Sequence, residues 1–224
     1  LASKLFSDAD RVSWFTARQI WAVSPGFMED RHFERPVVAK CLFCHANDAD
    51  AIETSINRYR APIFHAFSIG CERCHGPGAL HVAARETDVP IPKVDYTIVN
   101  PRHLEPALHE AVCQKCHLQG EQRVLRRGRG TFDFRPGLPL HLFWSVFVRA
   151  PTLTSPQRAV GQVEEMYTSR CFQASAGKMG CISCHDPHAL PAAGKKVAYY
   201  RQRCLSCHGP ESCRLPPAHV TGDA

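Results

Sequence analysis

Five copies of the pattern C-x-x-C-H contain most of the cysteines in this chain of 224 residues, which has 12 Cys and 13 His. The copies begin at Cys41, Cys71, Cys113, Cys181 and Cys204, with no fixed period between them. The pattern is the attachment signature of c-type haem. Positions i, i+3 and i+4 lie on one face of a helical turn, so two thiols and one imidazole can meet the same porphyrin.

The residues expected to hold haem fall into two groups. The ten thioether cysteines are Cys41, Cys44, Cys71, Cys74, Cys113, Cys116, Cys181, Cys184, Cys204 and Cys207. The five proximal iron ligands are His45, His75, His117, His185 and His208. The sequence therefore predicts five haem c groups as its cofactors.

Three other interpretations of the cysteine pairs are weaker. A thioredoxin-like pair belongs to a β-α-β setting, and five of them in one small chain is implausible. A disulfide framework would not require a His after each pair. Structural zinc would need the pairs combined into sites of four ligands, and five pairs cannot be divided in that way.

Second axial ligands must come from outside the motifs. His is abundant there and Met is scarce, so we expect mostly bis-His ligation, which gives lower reduction potentials than His/Met ligation. In order of preference, the expected distal ligands are His81, His188, His65, His109, His32 and His141. The first two stand in turns that contain Pro. His103 and His219 are weaker candidates, and Met179 is expected to pack.

Five haems in a chain of this length leave little polypeptide around each porphyrin, so the porphyrins must form much of the apolar interior. We expect a mainly α fold with long loops, in which short helices wrap around a stack of five haems, with little or no β structure. Residues 1–35 are expected to be a helical segment without a motif, and residues 36–224 a pentahaem cytochrome domain.

Local patterns predict individual elements of this fold. The expected helices are Val12 to Val23, Pro106 to His117, Gln157 to Phe172 and Lys195 to His208. The expected loops and connectors are Arg58 to Ser68, 88–101 and 128–139.

A basic stretch and two further cysteines allow alternatives. Arg123, Arg126, Arg127 and Arg129 would either clamp haem propionates, since guanidinium groups bind carboxylates bidentately, or form a solvated loop. Cys171 and Cys213 would either form a disulfide in an oxidising compartment or remain as two buried thiols.

Composition also bears on the location of the protein. No apolar run approaches the roughly 20 residues that a transmembrane helix needs. The segment from Leu1 lacks the basic and apolar regions of a secretory signal, which is therefore expected to be absent or already removed. The formal charge of +6 would be largely offset by haem propionates, and no basic face with interleaved aromatics indicates a nucleic-acid partner.

Two segments resemble a known family. Cys71 to Gly78 with His81, and Cys181 to His188, are similar to the multihaem cytochromes c of the tetrahaem cytochrome family of nitrifying bacteria, which belongs with the hydroxylamine oxidoreductase and pentahaem nitrite reductase group. The resemblance implies parallel-stacked and perpendicular haem pairs and a mainly α, loop-rich fold. It also implies that His81 and His188 are distal ligands.

The chain departs from this family in two respects. Relatives usually have haem motifs before and after the matching region, so one interpretation is that the sequence is part of a longer cytochrome. No C-x-x-C-K occurs, so the lysine-ligated catalytic haem of pentahaem nitrite reductases is not expected.

The sequence favours an electron-transfer protein over an enzyme. We expect a periplasmic or extracellular location, redox proteins as partners, and no nucleic acid or membrane span. A more specific version is the subunit of an extracellular cytochrome filament, with copies of the chain as partners. The alternative is a haem enzyme that reduces or oxidises a small nitrogen or sulfur compound at one open coordination site.

Overall fold

The chain divides into two compact units, Leu1–Glu164 and Glu165–Ala224. The structure is a computed structural model, and it describes residues 2–4, 6–7, 12–15, 18–23, 35–52, 54–66, 68–87, 90, 92–148 and 161–209. The first unit contains the first three C-x-x-C-H motifs, and the second contains the fourth and fifth. The division at residue 36, suggested from the absence of motifs before it, stays a prediction.

Short helices hold the five motifs. The α-helices of the described residues are α1 Ala39–His45, α2 Glu72–His75, α3 Ala79–Arg85, α4 Pro106–His117, α5 Gln162–Thr168, α6 Arg170–Ala174, α7 Cys181–Cys184 and α8 Lys196–Leu205. Short 3₁₀ turns lie at Pro101–His103, Leu140–Leu142 and Ala193–Lys195. α1 and α4 contain whole motifs, whereas α2 and α7 contain four residues of theirs and α8 contains only Cys204 and Leu205. In the second, fourth and fifth motifs the histidine amide still donates to the carbonyl of the first cysteine, which closes one helical turn.

The expectation of little or no β structure is wrong. The strands of the described residues are β1 Ala2–Lys4, β2 Phe6–Ser7, β3 Val12–Phe15, β4 Ile20–Val23, β5 Arg35–Pro36, β6 Asp48–Ala51, β7 Arg58–Ala66, β8 Gln122–Leu125 and β9 Trp144–Phe147. They form small antiparallel sheets: a three-stranded sheet in the order β1-β7-β6 and the pairs β2-β5, β3-β4 and β8-β9. The fold is therefore not mainly α.

A segment expected to be a loop is a β-strand in the structure. Arg58 to Ser68 was expected to be a loop because of Pro62, yet β7 runs through it, and the register with β6 shifts between the Ala49 and Ala51 pairings. A strand tolerates Pro at such an irregularity because no ladder hydrogen bond is lost there.

The segment Val12 to Val23 is a β-hairpin and not a helix. Trp14 on β3 pairs with Trp21 on β4, and their ring centroids are 5.6 Å apart. Aromatic and β-branched residues favour strands, and such cross-strand pairs stabilise them, whereas the Ser24-Pro25-Gly26 stop signal after Val23 would end a helix or a strand equally.

Other local predictions are confirmed. α4 spans Pro106–His117, and α8 occupies most of the helix expected from Lys195 to His208. The helix expected at Gln157 to Phe172 is confirmed only in part: residues 157–160 lie outside the described residues, and the rest is divided between α5 and α6. The division occurs because the Ser169 hydroxyl accepts a hydrogen bond from the Phe172 amide and starts α6. The described residues of 88–101 and 128–139 form connectors without strands or α-helices.

Two buried apolar clusters form the core of the first unit. One contains Phe43, Ala111, Phe134, Leu140, Phe143 and Trp144. The other contains Leu42, Ala46, Ala49 and Tyr59. Because Leu42 and Phe43 are neighbours on α1, this helix contributes to both clusters, and the first motif is anchored on both sides.

The second unit has a different interior. None of its described residues, 165–209, is buried. The side chains of Leu190 and Val197 are 92% and 59% exposed, respectively. Polypeptide that buries so little apolar surface lacks the usual driving force for a stable fold.

In the ranges that the structure describes, no helix combines the length and apolar character that a bilayer crossing requires.

Candidate haem-binding sites

The first and third motifs meet through their second cysteines. Cys116 Sγ on α4 donates to the carbonyl oxygen of Phe43, the residue before Cys44 on α1, at 4.0 Å. The neighbouring Cys116 thiol lowers the pKa of Cys44 to about 6. Cys44, together with burial, raises the pKa of Cys116. Two sulfur atoms that are expected to bond different porphyrins therefore lie side by side.

The residue before the second cysteine links the three motifs of the first unit. These third-position residues are Phe43, Arg73 and Lys115. Arg73 Nη2 donates a hydrogen bond to the Phe43 carbonyl, and Lys115 Nζ donates to the Arg73 carbonyl. Arg123 Nη2, from β8, donates to the Lys115 carbonyl at 2.7 Å. The three attachment helices are thus in direct contact through side chain to backbone hydrogen bonds.

Three of these residues are buried cations. Arg73, Lys115 and Arg123 are 8%, 3% and 6% exposed, and burial lowers the pKa of each. None of them forms an ion pair with a carboxylate of the described residues. Arg73 Nε and Arg123 Nε and Nη1 have no hydrogen-bond partner. The carboxylates of Asp48 and Glu164 act on Arg73 and Arg123, respectively, but only from beyond ion-pair distance and less strongly than burial. Buried cations with so little compensation suit a ligand that brings carboxylates.

Haem c fits this donor set. Its propionates are carboxylates, which guanidinium groups bind through paired hydrogen bonds. Because propionates leave the porphyrin on the edge opposite the thioethers, a propionate at these cations would come from the haem of a neighbouring motif. In the basic stretch, Arg123 is buried among the motifs, whereas Arg126, Arg127 and Arg129 are exposed. The propionate clamp stays a prediction.

The second motif has its proximal imidazole in a defined orientation. Gly76 follows it with φ +79°, a conformation that favours glycine, and turns the chain into α3. His75 Nδ1 lies 2.8 Å from the Val99 carbonyl oxygen. A histidine that binds metal through Nε2 usually donates its Nδ1–H to a group such as this carbonyl.

Two other proximal candidates have a partner at the same ring nitrogen. His117 Nδ1 lies 3.4 Å from Gln162 Oε1. In the second unit, His185 Nδ1 lies 3.4 Å from the Tyr200 hydroxyl, and the two rings are edge to face at 5.7 Å between centroids. Because Tyr200 is on α8, the helix of the fifth motif supports the histidine of the fourth.

The second unit also brings cysteines together. Burial raises the pKa of Cys184, and the neighbouring thiols of Cys204, Cys171 and Cys207 act on it in the same direction. Together with the absence of buried residues in 165–209, this proximity fits an interior made mainly of porphyrin.

The distal candidates differ in their surroundings. His81 on α3 is half-buried, with Nδ1 2.9 Å from Asp95 Oδ2. His188 is exposed, and its backbone amide donates to Asp186 Oδ1 at 2.9 Å. His109 is half-buried on α4, and His103 is exposed.

Two further candidates line clefts of the first unit. His65 is on the wall of a cleft of about 810 Å³, which Lys40, Arg129 and Arg135 also line. His141 is on the wall of a smaller, more apolar cleft of about 440 Å³. His32 and His219 lie outside the described residues. No iron ligation is shown for any of these side chains, so the ligand order stays a prediction.

The remaining cysteine prediction is answered only in part. Cys171 has an exposed free thiol, so in this structure it is neither part of a disulfide nor buried. Cys213 lies outside the described residues. Within the described ranges, no group of three or more His, Cys, Asp or Glu side chains is arranged to hold a metal ion by itself.

Sequence reasoning missed four supporting residues of these sites. Arg73 and Lys115 are charged residues inside the attachment motifs. Each is next to a cysteine that must face a porphyrin, and this position would have predicted that their side chains are buried. Asp95 and Val99 stand in a Pro-rich connector, and nothing local connects them to a histidine.

Part of the chain matches a known family. Residues 174–212, which include the fourth and fifth motifs, match the family model described as a doubled CXXCH motif. No curated protein and no solved structure matches the chain. The match, with the motif geometry, indicates a multihaem c-type cytochrome with covalently bound haem c.

Proposed function

We propose that this protein transfers electrons through five closely packed, mostly bis-His haems, one at each C-x-x-C-H motif. Bound haem c supplies a one-electron iron couple. The residues of the chain attach the porphyrins, orient the imidazoles and hold the propionates. Multihaem c-type cytochromes are typically found outside the cytoplasm, and we propose a periplasmic or extracellular location.

The contact between motifs is the observation that carries this proposal. Cys116 Sγ donates to the carbonyl oxygen of Phe43, the neighbour of Cys44, at 4.0 Å, and Arg73 and Lys115 bind the carbonyl groups of the neighbouring motifs. Porphyrins attached at such sites have their thioether edges close together. Close redox centres exchange electrons quickly, and this spacing supports a conduit over isolated sites.

The buried cations have a proposed role in the same conduit. Arg73, Lys115 and Arg123 would bind propionates and would favour the reduced state of nearby iron, since a positive charge stabilises the form with one more electron. Their positions support somewhat higher potentials in the first unit than bis-His ligation alone would give.

The haem number is tested on the full chain, expressed with the c-type haem maturation apparatus. Intact mass and pyridine haemochrome absorbance should both report five haems per chain. Replacing Cys113 and Cys116 with Ser should remove one haem. Replacing Cys171, which lies outside the motifs, with Ser should remove none. A wild-type count below five would contradict the assignment of one haem to each motif.

The electron-transfer role is tested by ligand-sensitive spectroscopy. We expect all ferric haems to be low-spin, the reduced protein not to bind carbon monoxide, and a sub-stoichiometric reductant to distribute its electrons over several haems within the mixing time. A stoichiometric high-spin haem that binds carbon monoxide would favour an enzyme that acts on a small nitrogen or sulfur compound.

Two finer proposals concern relatives and assembly. The likeness to the tetrahaem cytochromes of nitrifying bacteria rests only on Cys71 to Gly78 with His81 and on Cys181 to His188. The filament version predicts a polymer that grows with protein concentration, measured by light scattering. A monodisperse monomer at high concentration would contradict it.

A further inference from the structure

We propose that Asp95 is a positioning residue for His81: its carboxylate holds the imidazole so that Nε2 faces iron. The inference rests on the proposed function, in which His81 is an axial ligand. His81 Nδ1 lies 2.9 Å from Asp95 Oδ2. A histidine that binds metal through Nε2 has its proton on Nδ1, so Nδ1 donates and the carboxylate accepts.

The carboxylate of Asp95 is itself held from three directions. Its Oδ1 accepts hydrogen bonds from the Thr97 amide, at 2.9 Å, and from the Thr97 hydroxyl. Its Oδ2 accepts from Arg85 Nη2 as well as facing His81. A carboxylate with this many partners has little rotational freedom, so it can define the plane of the ring that it contacts.

Charge and exposure support the same role. The side chains of His81, Arg85 and Asp95 are 33%, 29% and 19% exposed, so the triad is partly shielded from water. The two bonds from Thr97, followed by those of His81 and Arg85, hold the pKa of Asp95 well below its usual range.

The connector that contains Asp95 and Val99 forms hydrogen bonds with both His81 and His75. Asp95 contacts His81, and four residues later the Val99 carbonyl oxygen accepts from His75 Nδ1 at 2.8 Å. The Val99 amide also donates to the His75 carbonyl at 3.0 Å. Because His75 and His81 are held from the same connector, their ring orientations are set together by this connector and not by the attachment helix alone.

The proposal has a chemical consequence for the haem that His81 binds. A carboxylate that accepts from Nδ1–H increases electron density on the imidazole and stabilises ferric iron. The Arg85 guanidinium shares the same oxygen and weakens this effect. Asp95 thus sets both ring orientation and ligand basicity.

The test uses two substitutions that remove the same charge. Asp95→Asn keeps an oxygen that can accept from Nδ1–H, whereas Asp95→Ala does not. In the full holoprotein we expect both variants to raise the midpoint potential of one haem. Only Asp95→Ala should also shift the low-spin EPR signal of that haem or convert part of it to high spin. Asp95→Glu should restore much of the wild-type signal.

Controls separate ligand positioning from simple electrostatics and from misfolding. Glu86→Ala removes an exposed carboxylate at the end of α3 and should leave the EPR signals unchanged. Equal effects of Asp95→Asn and Asp95→Ala on the EPR spectrum would overturn the positioning role. Far-ultraviolet circular dichroism and the haem count should match wild type in every variant. Loss of haem or of secondary structure in Asp95→Asn would also overturn it, since that role would then be structural.

His81→Ala distinguishes the inference from the proposed function. The expected result is conversion of one low-spin haem to high spin. If His81→Ala leaves every haem low-spin, His81 is not a ligand and the inference fails, while the haem count and the electron distribution still decide the function. If it converts one haem but the Asp95 variants change nothing, only the inference fails.

Discussion

The guanidinium of Arg73 lies over the ring of Phe43, 4.5 Å from the ring centroid, and donates a hydrogen bond to the Phe43 carbonyl. Both residues precede the second cysteine of their motifs, which start 30 positions apart along the chain. One cation therefore satisfies a buried carbonyl of one attachment helix while belonging to another, and it joins the first two motifs of the first unit.

Replacing Arg73 with Met should destabilise the holoprotein by about 2 kcal/mol. The variant loses a charged hydrogen bond and a cation–π contact, and the buried Phe43 carbonyl is left without its donor. Denaturant unfolding followed by the Soret band measures the change. Arg60, whose side chain is 62% exposed in an ion pair with Asp50, is the matched control, and Arg60→Met should cost less than about 0.5 kcal/mol. Equal costs would show that the contact between motifs is unimportant.

Replacing His188 with Ala should convert one haem, about a fifth of the total, from low to high spin, because the iron loses its second imidazole. EPR of the oxidised protein and carbon monoxide binding to the reduced protein measure this conversion. His103 is also exposed, and His103→Ala should leave both signals unchanged. A His188→Ala spectrum identical to wild type would remove His188 from the ligand order.

Tyr59 should make stability depend on pH in the alkaline range. Its hydroxyl donates to the Val37 carbonyl at 2.7 Å, and burial raises its pKa to about 12 from an ordinary value near 10. The folded state thus keeps a proton that the unfolded state releases. The resulting stabilisation is complete below pH 10 and is lost as the pH rises through about 12, with a size of roughly 2 kcal/mol.

Tyr59→Phe tests this linkage. The variant should be less stable by about 1 kcal/mol at pH 8, because the Val37 carbonyl loses its donor. Between pH 8 and pH 11 its free energy of unfolding should fall less than that of wild type. Parallel pH profiles for the two proteins would rule out Tyr59 as the source of the alkaline dependence.

Tyr200 should tune the haem of the fourth motif. When His185 binds iron through Nε2, its Nδ1–H donates to the Tyr200 oxygen 3.4 Å away. Tyr200→Phe removes that acceptor, so the imidazole donates less electron density to the iron. One midpoint potential should therefore rise by roughly 20–40 mV, equivalent to about 0.5–1 kcal/mol. Spectroelectrochemical titration measures the shift.

The neighbouring tyrosine is the control for this experiment. The Tyr199 hydroxyl accepts from Arg203 Nη2 at 2.9 Å, on the same helix. Tyr199→Phe should leave the potentials unchanged. A shift of the same size in both variants would indicate a general effect of α8 and not support of His185.

The sequence by itself determined the features that depend on neighbouring residues. The C-x-x-C-H spacing specifies haem attachment because i, i+3 and i+4 share a helical face, and α4 starts at Pro106, where the first-turn preference of proline places it. The same local reasoning failed for β7 and for the β3-β4 hairpin, where pairing with a partner strand decided the conformation.

Only the tertiary structure decided which groups meet across long separations. Arg73 reaches Phe43, Lys115 reaches the Arg73 carbonyl 42 residues away, and the Val99 carbonyl supports His75 from 24 residues away. These contacts arise from packing of whole elements, and a motif contains no information about its distant neighbours. The chemistry of each site is thus local, whereas the proximity of the sites and the support of their histidines are properties of the fold.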